Sequence, residues 1–280
     1  MLKKFFTFFG VMALICFSFY YTDTAVDIVK RNDPIMKEIQ SVSNFYYKES
    51  IDAVLIDEGI IPGISGTQIN IDKSYEKMKK YGSFEKSLLV FEEVTPSVTT
   101  SKTYDKYIIS GNSVNQKVSL IFKLEDTVYI DEILDVLKEK NIKTTFFIIS
   151  EIIKNDIDIL KKIYLTGNSI ELLSNDYSNN DIKNANKILK NLINEKIKYC
   201  YVETKDNDVL SSCRNNKMHS VIPNIITTNF PYNEIKNNVT SGSMISLSNN
   251  IGTLRELPSI INYLNQKGYK VVKLEEMLDE

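Results

Sequence analysis

The spacing of apolar positions predicts a regular series of strands and helices from Val118 onward. Short apolar runs such as VSLIF, KTTFFII, SIELL and SMISL are typical of buried strands. The segments between them carry apolar residues at helical spacing, as in the stretch containing Ile130, Ile133, Leu134 and Leu137. Successive strand and helix units of this kind predict an α/β fold whose parallel sheet closes, or nearly closes, into a barrel.

A helical stalk is predicted before this series, within residues 22–49. Asp33 followed by Pro34 is a typical helix start, because an acidic N-cap precedes a proline in the first turn. The apolar residues that follow recur at helical spacing, which predicts one buried face.

Residues 50–116 predict a small α+β module. Four short strand patterns, AVLID, TQINID, SLLVFEE and KYIISG, surround one short helix. We predict Asp72 as the N-cap of that helix and Gly82 as its end. The barrel domain then occupies residues 117–280.

The extreme N-terminus carries a targeting signal in residues 1–21. Lys3 and Lys4 precede an uncharged stretch from Phe5 to Tyr21, which is short for a bilayer span and long for a signal-peptide core. No small residues follow in a cleavage pattern, so we expect an uncleaved, single-pass anchor in the cell membrane rather than a removed signal. The main domain is then extracytoplasmic. A buried core helix is the structural alternative.

Composition excludes several classes of function. The formal net charge is −2, and no basic block could neutralise a run of phosphates, which excludes nucleic acid as a partner. A single histidine cannot build a metal site that needs two imidazoles. Cys200 and Cys213 are either a disulfide outside the cell or packed thiols. Packed thiols are the usual state of two isolated cysteines in a long chain.

Two stretches resemble a known family. TVYIDEILDVLKEKNIKTTFFIIS, residues 127–150, is similar to the helix and TFF strand of the polysaccharide deacetylases with a NodB homology domain. LPSIINYLNQKGYKVVKLEEML, residues 257–278, resembles the closing helix and strand of that family. The resemblance covers roughly residues 117–278 and implies a distorted (β/α) barrel.

The same resemblance implies a catalytic site that this chain lacks. The family hydrolyses a sugar acetamide with a divalent metal held by one Asp and two His, a second Asp as base and another His as acid. Lys123 stands at the position of the base, and Leu124 at that of the carboxylate ligand. The histidine ligands align near Leu173 and between Tyr177 and Asn179, where the chain has no histidine.

The remaining motifs are also replaced. Ser248 and Asn249 stand in the Leu-His-Asp motif that supplies the acid, and Cys200 and Tyr201 in the Arg-Pro motif that supports the base. We therefore predict no catalytic residue, no metal and no other cofactor. The replaced positions and their neighbours should line one groove at the carboxyl ends of the strands: Lys123, Leu124, Glu125, Leu173, Asp176, Tyr177, Asn179, Cys200, Tyr201, Ser248 and Asn249.

Carboxylates near the replaced positions leave a second interpretation open. Glu125, Asp126 and Asp176 could hold magnesium or calcium weakly. Their structural interpretation is that the first two cap the following helix and the third is a solvated loop acid. Three tyrosines also have two interpretations: they could stack against a sugar, or they could pack in the core. They are Tyr177, Tyr199 and Tyr201.

Three functions are compatible with these patterns. The leading hypothesis is a membrane-anchored, extracytoplasmic pseudoenzyme that binds a glycan such as peptidoglycan, or a protein partner. The second is an active carbohydrate deacetylase with a rebuilt site. The third is a structural scaffold of the cell envelope, in which the barrel is a spacer.

Overall fold

The computed structural model describes residues 28–280 together with Met12, Phe17 and Ser18. The predicted anchor, residues 1–21, and the start of the predicted stalk lie outside the described residues apart from those three positions. Within the described part of the chain, no helix has the length and apolar character needed to cross a bilayer.

The described chain divides into two compact units. The first contains residues 28–50 and 65–95, and the second contains residues 51–64 and 96–280. This division differs from the predicted module at residues 50–116, which is shared between the two units. The cause is strand pairing. Residues 59–60 pair in parallel with residues 107–108, and this pairing places both stretches in the second unit although residues 65–95 lie between them in sequence.

Thirteen strands lie in the described residues. Strands β1 to β5 are Val54–Ile56, Gly59–Ile61, Gly66–Ile69, Phe91–Val94 and Tyr107–Ile108. Strands β6 to β9 are Lys117–Leu124, Thr145–Ile149, Ser169–Leu173 and Tyr199–Tyr201. Strands β10 to β13 are His219–Val221, Ile225–Ile226, Met244–Ser248 and Lys270–Val272.

The first unit packs two helices, Pro34–Tyr46 and Ile71–Tyr81, with the antiparallel pair β3 and β4. Its core consists of four buried residues, Ile39, Ile69, Met78 and Leu89. Asp33 caps the first helix by accepting a hydrogen bond from the Ile35 N–H, as predicted. The predicted cap Asp72 is wrong: Asn70 accepts from the Lys73 N–H and begins the second helix, which ends at Gly82 as expected.

The second unit is built on two sheets. One has the order β11-β12-β6-β7-β8, with β13 also paired to β6, and all of its pairs are parallel. The other has the order β1-β2-β5-β10-β9 and is parallel except for the β1–β2 hairpin. The helices of this unit are Ile130–Glu139, Ser150–Asn155, Ile157–Leu165, Asn179–Ile193, Asn207–Asn215, Pro231–Asn238, Ile251–Gln266 and Leu274–Leu278.

Alternation along β6 shows how the layers are built. Val118, Leu120, Phe122 and Leu124 are buried in the large apolar core that also contains the buried residues of the surrounding helices. Ile121 belongs to a second cluster, formed with Phe147, Tyr199, Tyr201 and Val272 from other strands. Successive side chains of a strand point to opposite faces, so the second cluster fills the space between the two sheets. The predicted α/β barrel architecture is therefore confirmed, in a form split into two sheets.

Candidate functional site: a cleft at the carboxyl ends of the strands

A cleft of about 880 Å³ opens where several parallel strands end. Lys123, Leu173 and Tyr201 reach it from β6, β8 and β9 because each occupies an inward-facing position near the end of its strand. Ile149, the last residue of β7, also lines the cleft, and the remaining lining comes from the segments that follow these four strands: Glu125, Ser150, Ser174, Asn175, Asp176, Asp181, Val202, Glu203, Thr204, Asp206 and Val209. Parallel folds usually mount their chemistry at this end of the sheet.

A polar network surrounds Lys123 in the cleft. Its ammonium donates to Glu203 Oε1 at 2.6 Å and lies 5.7 Å from the centre of the Tyr201 ring. The Tyr201 hydroxyl lies 3.3 Å from Glu203 Oε1 and 2.8 Å from Ser246 Oγ. Burial raises the pKa of Tyr201, so its hydroxyl remains protonated. The position of the family's base therefore holds a cation whose charge is already paired.

Four further acidic side chains line the cleft, Glu125, Asp176, Asp181 and Asp206. Asp176 accepts hydrogen bonds from the Ser174 hydroxyl and the Ser178 N–H, which fixes the loop after β8. Asp206 caps the helix Asn207–Asn215 by accepting from two backbone N–H groups. Asp181 lies 3.5 Å from the Lys154 ammonium. The solvated loop acid expected at Asp176 is exposed, and it also organises the wall of the cleft.

Four of the predicted groove residues lie elsewhere. Leu124 is fully buried in the core, on the opposite face of β6 from Lys123. Tyr177 is also buried, and Asn179 accepts a hydrogen bond from Asn216 at the start of its helix. Cys200 points away from the cleft because it alternates with Tyr201 along β9. The prediction that all these positions line one groove is therefore wrong for Leu124, Tyr177, Asn179 and Cys200, and also for Ser248 and Asn249, which lie beside the cleft.

Ser248 and Asn249 lie beside the cleft without lining it. Ser248 is the register partner of Lys123 between β12 and β6. The Asn249 amide donates to the carbonyl and carboxylate oxygens of Asp126. Asp126 also accepts from the Val128 N–H in the loop before the helix Ile130–Glu139, and that helix has no side-chain cap. The predicted capping role is therefore wrong for both acids, because Asp126 stabilises the loop and Glu125 faces the cleft.

Two side chains close the junction between β8 and β9, where the two sheets do not pair through their backbones. The buried Glu171 carboxyl group accepts from the N–H groups of Lys198 and Tyr199 at 2.8 and 3.1 Å. The Tyr177 hydroxyl accepts from the Tyr201 N–H at 2.7 Å and donates to the Leu172 carbonyl at 3.0 Å. These bonds replace a backbone ladder directly below the cleft. We call this pair of side chains the seam.

Tyr177 stands near the position of the family's second histidine, and its role in the seam gives it a structural function there. Tyr177 has a left-handed backbone, with φ of 50°, and its ring enters the core rather than the cleft. Tyr199 and Tyr201 are buried as well, so the three tyrosines pack and do not offer stacking faces. The sequence analysis did not predict a role for Glu171 or Glu203. Glu171 is an acid inside an apolar strand pattern, and Glu203 is an acid just after a strand end, so both could have been noticed.

The described residues do not fit a catalytic metal. Within residues 28–280, no group of three His, Cys, Asp or Glu side chains is placed to hold an ion. The histidine, His219, begins β10 and stacks on Tyr104 with ring centres 4.3 Å apart. Burial lowers the pKa of His219 and favours its neutral form. No hydrolytic step can therefore be derived for this cleft.

Cys200 and Cys213 form a disulfide, with Cα atoms 6.4 Å apart. The bond joins β9 to the helix Asn207–Asn215, and both cysteines are fully buried. The expectation of packed thiols is therefore wrong, and the alternative of a disulfide is correct. The bridge ties together the two elements that flank Glu203 and Asp206 of the cleft.

Comparisons with known proteins agree with this architecture. Residues 110–205 match the family model described as polysaccharide deacetylase. An uncharacterized protein of Bacillus subtilis (strain 168), YlxY, is 24% identical over 279 residues, which cover 91% of this chain and 86% of YlxY.

Solved structures share the fold. BA3943 of Bacillus anthracis, described as a CE4 family pseudoenzyme, is 22% identical with a TM-score of 0.68, covering 89% of this chain and 96% of BA3943. A BA3943 mutant described as having restored enzymatic activity gives the same TM-score. The Bc1960 peptidoglycan N-acetylglucosamine deacetylase is 25% identical with a TM-score of 0.55, covering 61% of this chain and 92% of Bc1960.

The matched residues include Lys123 and Leu124, the replaced strand end, and they extend to the replaced positions at Leu173, Tyr177 and Tyr201. The likeness to BA3943 spans nearly the whole of both chains. The chain therefore resembles a degenerate polysaccharide deacetylase: residues 110–205 match the family model, and the side chains at the aligned catalytic and metal-binding positions are replaced.

Proposed function

We propose that this protein is a catalytically inactive, deacetylase-like glycan-binding protein of the cell envelope, held at the membrane by residues 1–21. The observation that carries the proposal is the cleft itself. It keeps the place and the size of a ligand site, at about 880 Å³, while its base position is occupied by the Lys123–Glu203 ion pair. The description of BA3943 as a pseudoenzyme supports the loss of catalysis.

The chemistry of the lining favours a sugar over an apolar ligand. Carboxylates, serine and threonine hydroxyls and an asparagine amide line the cleft, and such groups hydrogen-bond to sugar hydroxyls. The description of Bc1960 as a peptidoglycan deacetylase supports a cell-wall glycan as the class of ligand. Membrane attachment and an extracytoplasmic location rest on the lysines and the uncharged stretch of the N-terminus.

Leu173→Trp in the full-length chain tests the proposal by filling the cleft. Leu173 lines the cleft and is partly exposed, so a larger ring there would occupy ligand space. Leu165→Trp is the matched control, because Leu165 is 81% exposed and lies outside the cleft. We expect wild type and the control to sediment with purified peptidoglycan and the Leu173 variant to remain in solution.

Three results would overturn the proposal. Failure of the wild type to bind any cell-wall fraction would favour the envelope scaffold. Release of acetate from an N-acetylated chito-oligosaccharide, together with stoichiometric bound metal, would identify an active deacetylase with a rebuilt site. Equal binding by wild type and the Leu173 variant would place the glycan site outside the cleft.

A further inference from the structure

The charge of the cleft is strongly one-sided. Five carboxylates and one lysine line it, which gives the lining a formal charge of −4; Lys123 is paired with Glu203, and Asp181 with Lys154 outside the lining, so Glu125, Asp176 and Asp206 have no ion-pair partner among the described residues. Clefts lined by one sign of charge concentrate ligands of the opposite sign. An N-acetylated sugar carries no positive charge, so this electrostatic field contributes little to its binding. A sugar with a free amine is protonated and complements the lining.

The carboxylates are spread along the cleft rather than gathered at a point. No three of the acidic side chains between residues 28 and 280 are placed to share one ion. Glu125 makes no hydrogen bond or ion pair with the other described residues, so its carboxylate is available to a ligand. Asp176 and Asp206 are fixed by backbone N–H donors at other positions along the lining. This distribution matches a chain with several separated cations better than a single metal ion.

We propose that the cleft selects a glycan that carries free amines, that is, a partly or fully N-deacetylated amino-sugar chain. The inference rests on the proposed function, since it names the ligand class of the same cleft. It also places the protein after a deacetylation in a reaction sequence, because a free sugar amine is the product of acetamide hydrolysis. On this inference the protein binds the kind of product that a deacetylase such as Bc1960 releases.

The experiment compares two probes by calorimetry on the full-length chain. The first is a chitosan oligosaccharide with free amines, and the second is its fully N-acetylated counterpart of the same length. Two amine–carboxylate contacts at partly exposed sites should give the free-amine probe about a 10-fold tighter dissociation constant. The advantage should shrink at high ionic strength, and it should disappear above the pKa of the sugar amine.

Glu125→Gln tests whether the Glu125 carboxylate contributes to the preference for the free amine, and Glu139→Gln is the control. Both side chains are exposed, but Glu139 ends the helix Ile130–Glu139 and does not line the cleft. We expect Glu125→Gln to raise the dissociation constant of the free-amine probe about 3-fold and to leave that of the acetylated probe unchanged. The control should bind both probes as wild type does.

The outcomes separate the two proposals. Equal affinity for both probes, or tighter binding of the acetylated probe, would overturn the amine selectivity and leave glycan binding intact. If neither probe binds while the protein still sediments with peptidoglycan, only the amine inference fails; if peptidoglycan does not bind either, both proposals fail. Equal loss of both probes in the Glu125 variant would show that this carboxylate contacts the sugar without selecting the amine, which also overturns the inference. Binding of lysine-rich peptides as tightly as the chitosan probe would show selection of cations in general and would overturn the assignment to a glycan.

Discussion

At the scale of single residues, the site is decided by which face of a strand each side chain occupies. Lys123 and Leu124 are neighbours in sequence, yet one lies in the cleft and the other in the core. The parity of Val118, Leu120 and Phe122 was visible in the sequence and indicated that position 124 shares their face. The prediction placed Leu124 in the groove because the resemblance aligns positions 123 and 124 with two carboxylates that act together in the family's site. That alignment outweighed the alternation of side chains along the strand.

Leu124→Asp should therefore destabilise the protein without creating a metal ligand. A carboxylate at this position enters a fully buried apolar environment, and we expect the free energy of unfolding to fall by about 3 kcal/mol. Lys123→Asp is the control, since its side chain faces the cleft, where the new carboxylate stays hydrated; it loses the pair with Glu203 and the contact with the Tyr201 ring. Urea denaturation and zinc analysis provide the measurements. A stable Leu124→Asp variant that binds zinc would contradict the assigned geometry.

At the scale of elements, periodicity predicted the strands and helices of the second unit well. Its β6, β7, β8 and β12 lie in the predicted apolar runs, because each run is long and buried on both faces. The region at residues 50–116 was predicted less well, since its two- and three-residue strands are fixed by partners distant in sequence. The side chains of the seam were not predicted for the same reason: local sequence does not specify partners across two sheets.

The disulfide is an element-scale restraint that should be measurable. Replacing both Cys200 and Cys213 by alanine releases a loop between cysteines 13 residues apart, and we expect the free energy of unfolding to fall by about 3 kcal/mol. Urea denaturation with and without reductant measures this loss. The reductant should destabilise wild type and leave the double variant unchanged. An equal response of both proteins would show that the cysteines are not paired in solution.

The seam between β8 and β9 gives a second prediction at this scale. Tyr177→Phe removes the hydroxyl that accepts from the Tyr201 N–H, and the N–H then remains buried without a partner. We expect a loss of about 2 kcal/mol in the free energy of unfolding, measured by urea denaturation. Tyr81→Phe is the control because Tyr81 is 65% exposed. Equal stabilities of the two variants would show that the hydroxyl does not join the strands.

At the scale of the whole molecule, closure of the barrel depends on a buried carboxyl group. Glu171 is 4% exposed, and burial raises its pKa to about 8, although the N–H groups of Lys198 and Tyr199 oppose that rise. The Lys198 ammonium also lowers this pKa, and Glu275 raises it. The net direction means that the folded protein holds a proton on Glu171 at a pH where the unfolded chain has lost it.

Stability should therefore fall as pH rises through the interval from 4.5, the ordinary pKa of a glutamate, to about 8. Between these values the folded state binds more protons than the unfolded state, so each pH unit costs about 1.4 kcal/mol at most. Glu171→Gln keeps the shape of the protonated group and cannot ionise, so its stability should lack this component. Urea denaturation of both proteins across the interval provides the measurement. If wild type instead gains stability over the variant as pH rises, the carboxylate is ionised in the fold, and the two backbone N–H donors outweigh its burial.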